Sequence, residues 1–140
     1  VKVLFDTNIL LDILLEREPY IEVAAKLFSL VDNGRVEGSV CATAVTTTYY
    51  MTAKGLGSRR AHDQVRTLLS MFDVATVDDG VLQRALDSGF RDYEDAVAHE
   101  AARAVGVSAI VTRNTRDFTK ATIPVFEPHE LLATIASRKD

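Results

Sequence analysis

Val1-Lys2-Val3-Leu4-Phe5-Asp6-Thr7-Asn8 is the stretch from which the architecture of this chain can be read. Its strand-forming, mostly apolar residues run straight into an acid and predict a short buried strand. Asp6, Thr7 and Asn8 fall where that strand ends and a helix begins. In an open parallel α/β sheet, ligands bind just beyond the carboxyl ends of the strands. Topology alone therefore makes Asp6 a candidate site residue.

The chain downstream alternates in the same way. Asn8 to Leu15 predicts a helix with Ile9, Leu10, Ile13 and Leu14 on one broad apolar face. Pro19 suits the first turn of a second helix, in which Ile21, Ala24, Ala25, Phe28 and Val31 keep helical spacing. Asn33-Gly34 stops that helix, and Glu37 to Ala42 predicts a second strand. Thr43 to Lys54 reads as a helix despite its β-branched threonines, and Gly55-Leu56-Gly57 ends it. Ser58 is expected to cap the next helix, whose face is Ala61, Val65, Leu68, Leu69 and Phe72. A third strand is expected at Val74 to Val77, followed by a short helix opened by Asp78-Asp79-Gly80. An alanine-rich helix then runs to about Val105, and Ala109 to Thr112 forms a fourth strand. Ile123 to Phe126 is a brief fifth strand, and Pro128 opens a last helix. Strands alternating with helices give a three-layer α/β/α domain with a central parallel sheet of four or five strands.

Composition narrows the class. The 140 residues suit one domain, and a hydrophobic content of 47% supports a real core. No apolar run reaches the ~18 residues needed to span a bilayer. The basic-then-apolar order of a secretory leader is missing, and with Cys41 as the lone cysteine a reduced, cytoplasmic setting is expected. A net charge of −4 excludes a generally basic nucleic-acid binder, so contact with phosphates needs a local basic patch or a bound cation. Lys54, Arg59, Arg60 and Arg66 are one candidate patch. Arg113, Arg116 and Lys120, close to Asp117, are a better placed one.

Three acids share one local setting. Asp6 follows a strand, Asp117 lies just past the strand ending at Thr112, and Asp95 sits in the first turn of the helix feeding that strand. If the first and fourth strands are parallel neighbours, all three reach the carboxyl edge of the sheet. Asp92 and Glu94 flank Asp95, and Asp92 also suits the cap of its helix. Like charges so placed repel and raise one another's pKa, which a divalent cation relieves. Oxygen ligands with no nearby cysteine favour Mg²⁺ or Mn²⁺. Such a metal can hold a phosphate oxygen and lower the pKa of bound water, the chemistry of phosphodiester hydrolysis. Asn8, Thr112 and Asn114 are candidates for orienting a carboxylate or water, or for completing strand and turn ends. His99, four residues after Asp95, reads as a helix-surface histidine.

Asp6-Thr7-Asn8, Asp92-Tyr93-Glu94-Asp95-Ala96 and Thr112-Arg113-Asn114-x-x-Asp117-Phe118, in this order, resemble the motifs of PIN-domain ribonucleases. The acidic-aromatic-Glu-Asp-Ala variety is similar to the VapC-like toxins of bacterial toxin–antitoxin pairs. The resemblance implies a PIN-like fold and an endoribonuclease dependent on Mg²⁺ or Mn²⁺ with Asp6, Asp95 and Asp117 as metal-binding acids. It also implies an RNA substrate, a small antitoxin partner and a homodimer. Many members carry a glutamate in the helix after the second strand. Here Thr46-Thr47-Thr48-Tyr49-Tyr50 stands in its place. Thr48 or a neighbour could act through its hydroxyl, Asp92 or Glu94 could supply the carboxylate, or metal affinity and activity could be low. The last case leads to a non-catalytic RNA- or protein-binding module. A phosphatase with Asp6 as nucleophile is disfavoured because Asn8 stands where a second Asp is expected.

Overall fold

The computed structural model describes residues 1–138; the last two positions of the chain lie outside the described residues. Strand β1 (Lys2–Phe5) is the centre of a five-stranded sheet in which every pairing is parallel. It pairs on one side with β2 (Glu37–Cys41) and on the other with β4 (Ala109–Val111). The edges are β3 (Asp73–Ala75) and β5 (Val125–Phe126), giving the order β3-β2-β1-β4-β5. The expected adjacency of the first and fourth strands is therefore present, with Leu4 opposite Ile110 and Phe5 opposite Val111.

Helices cover both faces because side chains alternate across a strand. Val3 and Phe5 point into a core shared with α1 (Thr7–Leu14), α2 (Ile21–Asp32) and α7 (Pro128–Ala136). Leu4 points to the other side, into a core with α5 (Asp79–Leu86) and α6 (Tyr93–Val105). Each fully buried Leu, Ile or Phe contributes about 1.5–3 kcal/mol. Phe5, Phe28 and Phe72 form an aromatic triangle with centroid separations of 5.0–5.9 Å. Gly38 is needed beside it, since a Cβ there would sit 2.6 Å from the Phe72 ring. No helix among the described residues is long and apolar enough to cross a membrane.

Helix α3 (Ala42–Leu56) forms despite its threonines, because packing against α1 and α4 (Ser58–Met71) overrides a weak propensity. Four local expectations are corrected. The third strand is Asp73–Ala75 rather than Val74 to Val77, because β2 ends at Cys41, opposite Ala75, and leaves the next residues no ladder partner. The fifth strand is shortened to Val125–Phe126 because Pro124 has no N–H to give the ladder and Ile123 lies beyond the start of β4 at Ala109. Ser58 does not cap α4; Gly57 does, at φ +91°, linking α3 to α4 through a single residue. Pro19 precedes α2, whose first helical residue is Ile21.

Candidate functional site

At the carboxyl edge of β1 the chain leaves the sheet through Asp6, which caps α1 by accepting from the Thr7 amide at 2.9 Å. Its other carboxylate oxygen accepts from the Thr112 hydroxyl at 2.8 Å and from the Asn8 amide group at 3.4 Å. Asn8 also donates to the Thr112 hydroxyl, and its carbonyl accepts from the Arg113 backbone amide. The Thr112 hydroxyl in turn accepts from the Asn114 backbone amide. Asp6, Asn8 and Thr112 thus form one buried knot joining the ends of β1 and β4. Asn114 enters it through its backbone, with its side chain exposed.

Helix α6 brings the next acids to the same edge. Asp92 caps it, accepting from the Asp95 amide at 3.0 Å, and Asp95 lies half-buried in the first turn. Asp117 sits exposed in a short 3₁₀ turn, Thr115–Phe118, just after β4. The carboxylates feel one another. Burial, then repulsion from Asp6, Asp92, Asp117 and Glu94, pushes the Asp95 carboxyl up to about 7. Burial raises Asp6 as well, against the lowering effect of the Thr112 and Thr7 hydrogen bonds, with Glu94 and Asp117 adding repulsion. The positive end of α6 favours the charged form of Asp95 and does not outweigh these effects.

Thr48 makes no hydrogen bond to this cluster. Its hydroxyl is fully buried in the helix packing without a hydrogen-bond partner, as is that of Thr52 one turn on. The preceding Thr47 is the threonine that reaches the acids, donating to Glu94 at 3.3 Å. Of Asp92 and Glu94, the two acids that could supply the missing carboxylate, Glu94 is the one hydrogen-bonded to α3.

His99 is not on the surface either. It is 2% exposed, and its Nε2 accepts from the Thr122 amide at 3.0 Å, so Nδ1 carries the proton and donates to Glu100 at 3.0 Å. Burial holds its pKa below the usual value, with Glu100 pulling the other way. Glu100 is also buried and is met by Arg103 at 3.2 Å and Arg84 at 3.6 Å. Sequence reasoning also missed Asp12, which is 1% exposed and bonded by Arg113 through two contacts of 2.7 and 3.1 Å. Arg17 stands 3.9 Å away on the same carboxylate. The missing signal was long-range: Asp12 and Arg113 are 101 residues apart.

The donor set around Asp95 consists of carboxylates, without cysteine or histidine, and its mutual repulsion calls for positive charge. By chemistry it fits a hard divalent cation. Among the described residues, no three His, Cys, Asp or Glu side chains stand grouped as a ready coordination shell. Asp6 is held in place, whereas Asp95 and Asp117 are more open and free to adjust.

A family model of the PIN domain matches residues 2–116, a span that includes Asp6 and Asp95 and stops one residue short of Asp117. No curated protein matches the chain in sequence. Among solved structures it is similar to a toxin–antitoxin complex from Klebsiella pneumoniae, with 24% identity and a TM-score of 0.68, covering 91% of this chain and 98% of that one. FitAcB from Neisseria gonorrhoeae is similar at 20% identity and a TM-score of 0.70, with coverage of 91% and 98%. VapC20 of Mycobacterium tuberculosis, a toxin that cleaves the sarcin–ricin loop, is similar at 14% identity and a TM-score of 0.62, with coverage of 77% and 86%. At these identities the likeness establishes the fold.

Proposed function

The chain belongs to the PIN domain family, and from that premise we propose that it is a metal-dependent endoribonuclease, the toxin of a toxin–antitoxin pair. The observation that carries the proposal is the gathering of Asp6, Asp95, Asp117 and Glu94 at one sheet edge, where burial and then mutual repulsion push Asp95 up to about 7. The toxin–antitoxin complex from Klebsiella pneumoniae among its structural neighbours supports the biological role.

In this mechanism Asp6, Asp95 and Asp117 would hold Mg²⁺ or Mn²⁺. When bound, the cation supplies positive charge for a phosphate oxygen and makes water a better nucleophile. Thr112 and Asn8 keep the Asp6 carboxylate in one orientation, so little ordering is left to occur during the reaction. Glu94, oriented by Thr47, takes the part of the absent α3 glutamate. No covalent intermediate on the protein is required. A small antitoxin would restrain the enzyme by covering the acidic edge, and the active form is a homodimer.

The test is cleavage of RNA by purified protein with Mn²⁺. The wild type should cut internally, and Asp6→Asn should abolish cutting while melting normally. Intact activity in Asp6→Asn would overturn the assignment. A second reading, a non-catalytic binding module, is favoured by Thr47 occupying the site-facing position of α3 in place of an acid. Calorimetric titration separates the two: no heat at millimolar Mn²⁺ selects the module.

A further inference from the structure

A groove leads away from the acidic edge. Its near part, a cleft of about 370 Å³, runs from Asp117 past Arg116, Arg91 and Arg113 to Glu127. Arg113 and Glu127 also line the next part, a pocket of about 300 Å³. The pocket walls are mainly apolar: Pro19, Tyr20, Val23, Ala24 and Pro128. The two cavities therefore meet at Arg113, with cations on one side and a flat-sided apolar slot on the other.

Two observations say what such a groove takes. First, the charge is right for a polyanion. Arg91 and Arg116 are exposed and carry no ion pair among the described residues. Asp12, the acid in the pocket floor, is already neutralised by Arg113 and Arg17. Glu127 keeps its negative charge at the far end of the cleft, where it opens α7, so the cationic stretch is the one carried by Arg91 and Arg116. Second, the pocket contains an aromatic platform. The Arg113 guanidinium lies 3.7 Å from the centroid of the Tyr20 ring, and Tyr20 remains 41% exposed. The bidentate Asp12 contact locks Arg113 into that stack. Flat, rigid Tyr–Arg surfaces beside a cationic track are how proteins hold unpaired bases of single strands.

We propose that this groove is the path of the substrate strand beyond the cut: an unpaired RNA base sits in the Tyr20 pocket while backbone phosphates lie on Arg91 and Arg116. The proposal rests on the RNA-cleaving function above and adds a specificity-determining subsite to it. It predicts cleavage in single-stranded segments with a nucleotide preference set at the pocket, since a duplexed base cannot leave its stack to enter.

The experiment measures binding of a fluorescein-labelled, single-stranded RNA 12-mer of mixed sequence (~12 nucleotides, the scale of single-strand sites) by anisotropy. The Asp6→Asn protein is used with Mg²⁺, so that the strand stays whole. Adding Tyr20→Ala should weaken binding about tenfold, as expected for losing one stacked base, whereas Tyr20→Phe should retain it. Arg116→Ala should reduce the slope of log K against log salt by about one. An abasic nucleotide placed along the strand should, at one position, cause the same loss, with no further loss from Tyr20→Ala there. Melting curves confirm that the variants fold. Unchanged RNA binding in Tyr20→Ala, with RNA still bound and cut by the wild type, overturns the groove alone and leaves the pocket to a protein partner. Absence of any RNA binding and cleavage by the wild type overturns the nuclease function with it.

Discussion

One helix carries two charged knots that differ in a single respect. At the N-terminus of α6, Asp92, Glu94 and Asp95 face Asp6 and Asp117 with like charge, and Asp95 is driven to about 7. Two turns on, Glu100 is more deeply buried than any of the α6 acids at the site, yet His99, Arg84 and Arg103 surround it. Burial therefore does not distinguish them; satisfaction does. The paired knot belongs to the fold, because a buried charge is tolerated only when its partners are built in. The unpaired knot leaves an electrostatic demand that the chain itself does not meet, which is why it reads as a site.

The largest expected effect is on activity. Asp95→Asn should lower RNA cleavage at least ~10²-fold, about 2.7 kcal/mol of barrier, while raising the thermal stability of the metal-free protein at pH 8. A metal-free Asp95→Asn protein that melts below the wild type at pH 8 would break the contrast. Glu100→Ala should do the reverse: about 2 kcal/mol of stability lost in urea unfolding, as buried donors on His99 lose their acceptor, with cleavage per folded molecule preserved.

The two knots should also pull stability in opposite directions with pH. For Asp95 the folded pKa is raised, so between about 7 and 3.8 the folded state holds the extra proton, and acidification stabilises. For His99 the folded pKa is lowered, so below 6.5 the unfolded state protonates first, and acidification destabilises. Melting from pH 8 to 5 without metal should show Asp95→Asn losing the first trend and His99→Gln losing the second. The smallest effect sharpens the place of Glu94. Glu94→Gln should weaken Mn²⁺ binding about tenfold and Thr47→Val somewhat less, as for residues that orient a ligand, measured by calorimetry. Equal Mn²⁺ affinity in Glu94→Gln would remove it from the site.

Legibility in the sequence followed the range of the interactions involved. Helix and strand order came from periodicity, and the ends of β3 and β5 did not, because a strand stops where its neighbour's ladder stops. The caps at Asp6, Asp78 and Asp92 are local and were readable, or nearly so, from residue type and position. His99 was misplaced because its partners include Thr122, 23 residues away and in a loop without pattern. Thr47 and Thr48 differ by one helical step, and which of them faces the acids depends on how α3 is rotated against α6.

By itself, the order of residues determined a parallel α/β sheet and placed Asp6, Asp95 and Asp117 beside strand ends, so that the pairing of β1 with β4 brings them to one edge. Alternation and connection geometry are properties of chain order. Tertiary structure alone decided which of the other charges are satisfied: Asp12 by Arg113, Glu100 by His99 and two arginines, and Glu94, among the described residues, by Thr47. Neutralisation depends on distances of a few ångströms between elements remote in sequence, and these distances exist only once the layers have packed.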